Sequence, residues 1–113
     1  MINQYKIRDN KGEYDHYEYL IDHLPIKIDV ETSPSTFGIA LIEEYASRIL
    51  GKRVCFFHFN ESRFFPFNNT REKDSMTLDI SLLKIGIENY SIIAETTYAG
   101  EVLMEIAGKI TVI

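Results

Sequence analysis

Ser33-Pro34-Ser35-Thr36-Phe37-Gly38-Ile39-Ala40-Leu41-Ile42-Glu43-Glu44-Tyr45-Ala46-Ser47-Arg48-Ile49-Leu50-Gly51 is the one long helical pattern in a chain whose other apolar segments alternate as strands do. Its ends are legible. Ser33 can cap the first free N–H groups, Pro34 suits the first helical position, and Gly51 can take the left-handed conformation that closes the last turn. At about 100° per residue, Ile39, Leu41, Ile42, Tyr45, Ala46, Ile49 and Leu50 fill one broad apolar arc. Its width predicts a central helix buried on more than one side.

Two adjacent carboxylates in this helix separate on the wheel. Glu44 falls in the polar arc with Arg48 one turn on, the spacing of a surface ion pair. Glu43 lies at the edge of the apolar arc near Ile39, Ala46 and Leu50. Partial desolvation there would raise its pKa and suit it to acid or base work. The plainer expectation is that both are solvated helix charges.

The chain has 113 residues, close to the commonest domain size, and one domain spanning 1–113 is expected. Its hydrophobic fraction of 45%, with seven Tyr and seven Phe, predicts a globular fold. A net charge of −5 without a Lys/Arg cluster argues against nucleic acid or an anionic membrane surface as partner. No signal peptide or apolar run of transmembrane length is visible, so a cytoplasmic location is expected. The single cysteine, Cys55, excludes an internal disulfide and is expected in the core. The three histidines and Cys55 lack metal-ligand spacing, and no phosphate-cradling glycine loop occurs, so neither metal nor cofactor is expected.

Upstream of the helix, Tyr5–Arg8 and Tyr14–Leu20 flank the turn-rich Asp9-Asn10-Lys11-Gly12 and predict a β-hairpin, with a short helix over Tyr17–His23 as the alternative. Leu24–Val30 reads as a strand feeding the helix, with Pro25 at its first residues or on an edge. Downstream, Val54–Phe59 reads as a strand, Asn60-Glu61-Ser62 as an interruption, and Arg63–Phe67 as an aromatic continuation ending in a loop at Asn68–Lys73. Three long strands follow. Met76, Leu78, Ile80 and Leu82 share a face in the first, and Tyr90–Tyr98 and Glu101–Ile113 are joined by a tight Ala99-Gly100 turn. This is an α+β design, an antiparallel meander with one apolar face for one helix to cover.

Strand, long buried helix and then antiparallel strands, in that order, resemble the hotdog fold, an antiparallel β-sheet wrapped round one long central α-helix. Gly38-Ile39-Ala40-Leu41-Ile42-Glu43-Glu44-Tyr45-Ala46-Ser47 resembles the start of the hotdog helix in 3-hydroxyacyl-[acyl-carrier-protein] dehydratases, with Glu43 at the catalytic carboxylate. Phe57–Asp74, with Arg63-Phe64, Pro66 and Asp74, resembles the family's next stretch. The likeness spans roughly residues 22–113. It implies a 3-hydroxyacyl thioester dehydratase, a lyase of fatty acid or polyketide-type metabolism. The acyl group would arrive on acyl carrier protein or CoA, and the chain would form a homodimer or higher hotdog oligomer.

One departure from the family concerns histidine. Typical dehydratases carry a His-Phe-Pro-Gly-like loop just before the helix glycine. The matching segment here, Val30–Phe37, has no histidine. His23-Leu24-Pro25 lies further upstream and resembles the family's entry into its first strand. His58 lies in the strand after the helix, on the face expected to carry Val54, Phe56 and Asn60. His23 and His58 are the candidate partners of Glu43, although a structural role is the simpler expectation for each, and His16 reads as a surface residue.

Dehydration needs a base for the α-proton, an acid for the leaving hydroxyl, and an N–H donor to the thioester carbonyl. The helix N-terminus near Phe37 and Gly38 could supply the donor, with Gly38 allowing close approach of the substrate. Hotdog thioesterases need only an Asp or Glu on this helix, so thioester hydrolysis is the alternative. A non-catalytic subunit that binds acyl chains or completes an active paralogue is the third. Lys52, Arg53, Arg63 and Arg71 are the candidate docking cations for an acidic carrier, with Arg63 also a candidate substrate contact.

Overall fold

The computed structural model describes residues 2–9, 12–21, 34–65, 76–98 and 100–113, and the side chains of only part of the first strand and of the helix from Gly38 onward. These residues form the order β1 (Ile2–Asp9), β2 (Gly12–Ile21), α1 (Pro34–Leu50), β3 (Val54–Phe64), β4 (Met76–Lys84), β5 (Asn89–Tyr98) and β6 (Glu101–Val112). All strand pairs are antiparallel, in one six-stranded sheet of order β1-β2-β4-β5-β6-β3. The expected N-terminal hairpin is present, Ile7 facing Tyr14 across it. The expected Leu24–Val30 strand, Pro25, His23 and the Asn68–Lys73 loop lie outside the described residues.

Alternation sorts the sheet into two faces. Leu78, Ile80 and Leu82 on β4, Ile92 and Ala94 on β5, and Met104, Ile106 and Ile110 on β6 join Leu41, Ile42, Tyr45 and Ala46 of α1 in one buried core. The β2 side chain of Tyr19 meets the Tyr45 ring edge-on, with ring centres 4.7 Å apart, and the Arg48 guanidinium lies over the Tyr45 ring, 4.9 Å from its centre. Such aromatic contacts add to the area buried and fix how the helix is rotated on the sheet.

The helix ends as its sequence implies. Gly51 has φ 68°, and Lys52 N–H donates to Ser47 C=O at 3.2 Å, the six-to-one bond that follows a left-handed closing residue. Its burial differs from expectation. The helix is short, 17 residues or about 26 Å, whereas the 12-residue β6 runs about 40 Å. It is not a long central rod enclosed by sheet. Ile39, Ile49 and Leu50, on the flanks of the apolar arc, are only half-buried, and Glu44 and Arg48 are exposed. A broad apolar arc was compatible with enclosure, but here its flanks line the margins of a one-sided contact.

The expected interruption at Asn60-Glu61-Ser62 is instead an irregularity within one continuous strand. The β3–β6 register shifts between Phe56 and His58 and again between Phe59 and Glu61. Each shift is a β-bulge, which bends the strand and moves side chains off simple alternation. Gly108 of β6 allows this: a Cβ there would strike the His58 carbonyl oxygen and crowd the Phe59 backbone. Backbone cannot rotate aside as a side chain can.

On the face away from the helix, the registers align Glu18, Asp79, Glu95, Glu105 and Arg63 in one row across β2, β4, β5, β6 and β3. Burial pushes the Glu95 carboxyl above its ordinary range, and the flanking Glu105 and Asp79 carboxylates push it further.

Gly108→Ala is expected to destabilise the fold by about 1–3 kcal/mol, the usual range for overpacking, read as a lower melting temperature with unchanged unfolding cooperativity. For Glu95, a folded pKa above the unfolded one means that ionisation opposes folding. Glu95→Gln should therefore be more stable than wild type at pH 7 by roughly half a kcal/mol, a difference that shrinks with salt. The advantage should vanish as pH falls below about 4, where the carboxyl is protonated in both states. Denaturant midpoints measured from pH 3.5 to 7.5 check both the size and the direction.

Candidate functional site

Only three residues separate the end of α1 from the start of β3, so the strand must begin beside the last turns of the helix. Among the described residues β3 is also an edge strand, with no neighbouring strand to accept its outer N–H groups. The helix supplies the acceptors. Val54 N–H donates to Ser47 Oγ at 3.1 Å, and Phe56 N–H donates to Glu43 Oε2 at 2.9 Å. Ser47 Oγ–H in turn donates to the Glu43 backbone carbonyl at 2.7 Å. Glu43 and Ser47, one turn apart, thus bind alternate residues of the strand. The bond to the Glu43 carboxylate is the stronger kind, with charge on the acceptor.

Glu43 and Ser47 also line a surface cleft of about 760 Å³, together with Ala40, Arg48, Cys55 and the cationic pair Lys52 and Arg53. Glu43 is half-buried. Of the cations, Arg48 is held in the expected surface pair with Glu44, Nη2 to Oε1 at 3.0 Å with both side chains about half exposed. The cleft therefore joins an oriented carboxylate to a cationic rim. Such an arrangement can take a proton from a bound water while holding an anionic group a short distance away. Cys55, expected in the core, is half-buried on the cleft wall.

The other candidate residues are dispersed. Gly38 is buried in α1, and the close approach its missing side chain permits is that of Met104 and Phe64. Phe37 lies in the helix, with its side chain outside the described set. His58 is exposed in the bulged part of β3, opposite Lys109. Its expected face with Val54 and Phe56 is broken by the register shift that intervenes. Arg63 is exposed on the face away from the helix, with Nη2 3.0 Å from Glu61 Oε1. Of the candidate docking cations, Lys52 and Arg53 line the cleft, Arg63 does not, and Arg71 lies outside the described residues.

His16 was expected at the surface. It is buried, 7% exposed, and its Nε2–H donates to Asp79 Oδ1 at 3.0 Å on the face away from the helix. The cross-strand pairs His16–Ser81 and Glu18–Asp79 bring the two together. That pairing could not be read before the β2–β4 register was known. Ser47 was also missed as a functional neighbour of Glu43, although the i, i+4 spacing and the short link to β3 together carried a signal. Among the described residues, no group of three or more His, Cys, Asp or Glu could hold a metal ion, and no helix is long and apolar enough to cross a membrane.

No family model matches this chain, and no curated protein matches it in sequence. Seven chains of solved structures are similar to it, two of them as follows. One is the C46A variant of an HP0420 homologue from Helicobacter felis, at 10% identity and TM-score 0.52, covering 88% of this chain and 69% of that one. The other is a candidate thioesterase, YhdA, from Lactococcus lactis, at 15% identity and TM-score 0.49, covering 99% of this chain and 91% of that one. The likeness to the HP0420 homologue is one of fold alone, and the six-stranded antiparallel sheet of the described residues with one helix packed on it is a hotdog-like arrangement.

Proposed function

We propose that the chain hydrolyses acyl thioesters in the cleft between α1 and β3, with Glu43 as general base. The observation that carries this reading is the placement of the Glu43 carboxylate, oriented by Phe56 N–H, in a cleft whose rim bears Arg48, Lys52 and Arg53. A thioester delivered on a pantetheine arm brings a phosphate, and the cations suit it. In the reaction Glu43 accepts a proton from water as the water oxygen bonds to the thioester carbon. The C–S bond then breaks, and the proton passes to the departing sulfur, giving free acid and thiol. One oriented carboxylate suffices for this sequence.

Dehydration of a 3-hydroxyacyl thioester asks for an acid and a base on the same substrate. His16 is engaged with Asp79 on the far face of the sheet, and His58 is exposed in the bulged region, so neither described histidine lines the cleft with Glu43. Hydrolysis is accordingly favoured over the elimination that the helix motif resembles.

Glu43→Gln separates chemistry from architecture, because the amide oxygen still accepts Phe56 N–H. We expect it to lower kcat/KM for acyl-CoA or acyl-carrier-protein hydrolysis by at least about 100-fold with little loss of stability. Glu43→Ala should lose the activity and about 1 kcal/mol of stability besides, through the abandoned Phe56 N–H. Lys52→Glu combined with Arg53→Glu should raise KM and leave kcat nearly unchanged, the pattern of lost ground-state binding. Mass spectrometry of the products decides the reaction. Free acid and thiol that disappear in Glu43→Gln support hydrolysis, whereas a loss of 18 mass units from a 3-hydroxyacyl substrate, or no turnover by folded protein, overturns it.

A further inference from the structure

Glu43 and Ser47 stand one turn apart on α1, about 6 Å along its axis, and alternate residues of an extended strand recur at about 6.6 Å. The two repeats nearly coincide. Helix and strand, running in opposite directions, therefore meet as two rungs, Ser47 with Val54 and Glu43 with Phe56. Ile39 and Gly51, one turn to either side on the helix, have no side-chain acceptor, and the β3–β6 register shifts just after Phe56. Among the described residues each rung has only the other to hold its place.

The rungs differ in stiffness. A single torsion separates the Ser47 oxygen from the backbone, and that oxygen is bonded on both sides, donating to Glu43 C=O at 2.7 Å and accepting Val54 N–H at 3.1 Å. Three torsions separate the Glu43 carboxylate from its backbone, and among the described residues its one bond is from Phe56 N–H to Oε2. A long side chain can follow a strand that drifts. A hydroxyl held at both ends fixes the strand, so the place of Phe56 N–H, and with it the direction of the carboxylate, is set at Ser47. With Oε2 committed to the strand, Oε1 is the oxygen left to act in the cleft that both residues line.

We infer that Ser47 is a positioning residue: through the start of β3 it holds Phe56 N–H where the Glu43 carboxylate must lie to act as a base. Its own hydroxyl is spent on Glu43 C=O and Val54 N–H and reaches no reacting atom. This role rests on the hydrolytic reading of Glu43, but the two can fail separately.

Ser47→Ala and Ser47→Thr test it in the whole chain, by steady-state hydrolysis of CoA thioesters from acetyl to palmitoyl and by amide hydrogen exchange. Ser47→Ala should lower kcat by about tenfold or more with KM within about twofold of wild type, and Ser47→Thr, whose hydroxyl can make the same two bonds, should restore most of the loss. Ser47→Cys, a weaker donor and acceptor, should fall between them and carries the test if the alanine variant does not fold. Phe56 N–H, which Ser47 does not touch, should exchange about tenfold faster in Ser47→Ala, measured against Ile92 N–H of β5 so that a general loss of stability is removed. In a Glu43→Gln background, Ser47→Ala should lower the residual kcat no further, because the group through which it acts is already gone.

A lower melting temperature with kcat and Phe56 exchange unchanged makes Ser47 structural only and overturns the proposal. So does a loss from Ser47→Ala that multiplies undiminished on Glu43→Gln, which would give Ser47 a part of its own. An inactive wild type ends the hydrolytic reading and this role with it. An active wild type whose Ser47→Ala variant turns over normally ends this role alone.

Discussion

An edge strand leaves a row of amide groups facing outward, and the placement of β3 turns that liability into the organising constraint of the molecule. Because a three-residue link sets β3 beside the end of α1, helix side chains can answer the first of those amides. Glu43 and Ser47 do so. The same bonds orient a carboxylate, form one wall of the cleft and anchor the helix to the margin of the sheet. Structure and candidate chemistry are thus carried by one side chain, and separating them requires a substitution that keeps the acceptor while removing the charge.

Much of this architecture was legible in the sequence because it depends on local periodicity. The helix bounds and its closure at Gly51, the Glu44–Arg48 pair, the N-terminal hairpin and the three C-terminal strands follow from spacing and alternation over short windows. Long-range register was not legible. The row from Glu18 to Arg63 and the His16–Asp79 bond each arise from pairings between strands distant in sequence. The apparent break at Asn60-Glu61-Ser62 marks bulges, and a run of polar residues gives the same local signal for a bulge as for a loop.

The candidate site was legible in part. Glu43 stood out by its position at the edge of the apolar arc, and it does line the cleft. What spacing could not show was that its carboxylate also serves the backbone of β3, or that Lys52 and Arg53, just past the helix terminus, would face the same concavity. Gly38 illustrates the limit from the other side. A glycine in a helix signals close approach without naming what approaches, and here Met104 and Phe64 fill the space.

The short link between α1 and β3 also bears on how the site is assembled as the chain folds. Glu43 and Phe56 are 13 residues apart, whereas His16 and Asp79 are 63 apart. For flexible loops of those lengths the closure entropy differs by about 1.4 kcal/mol, or roughly tenfold in the fraction of unfolded chains that bring the two ends together. The wall of the cleft is therefore built from neighbours in sequence, and its formation does not wait for the distant strands of the sheet to find one another.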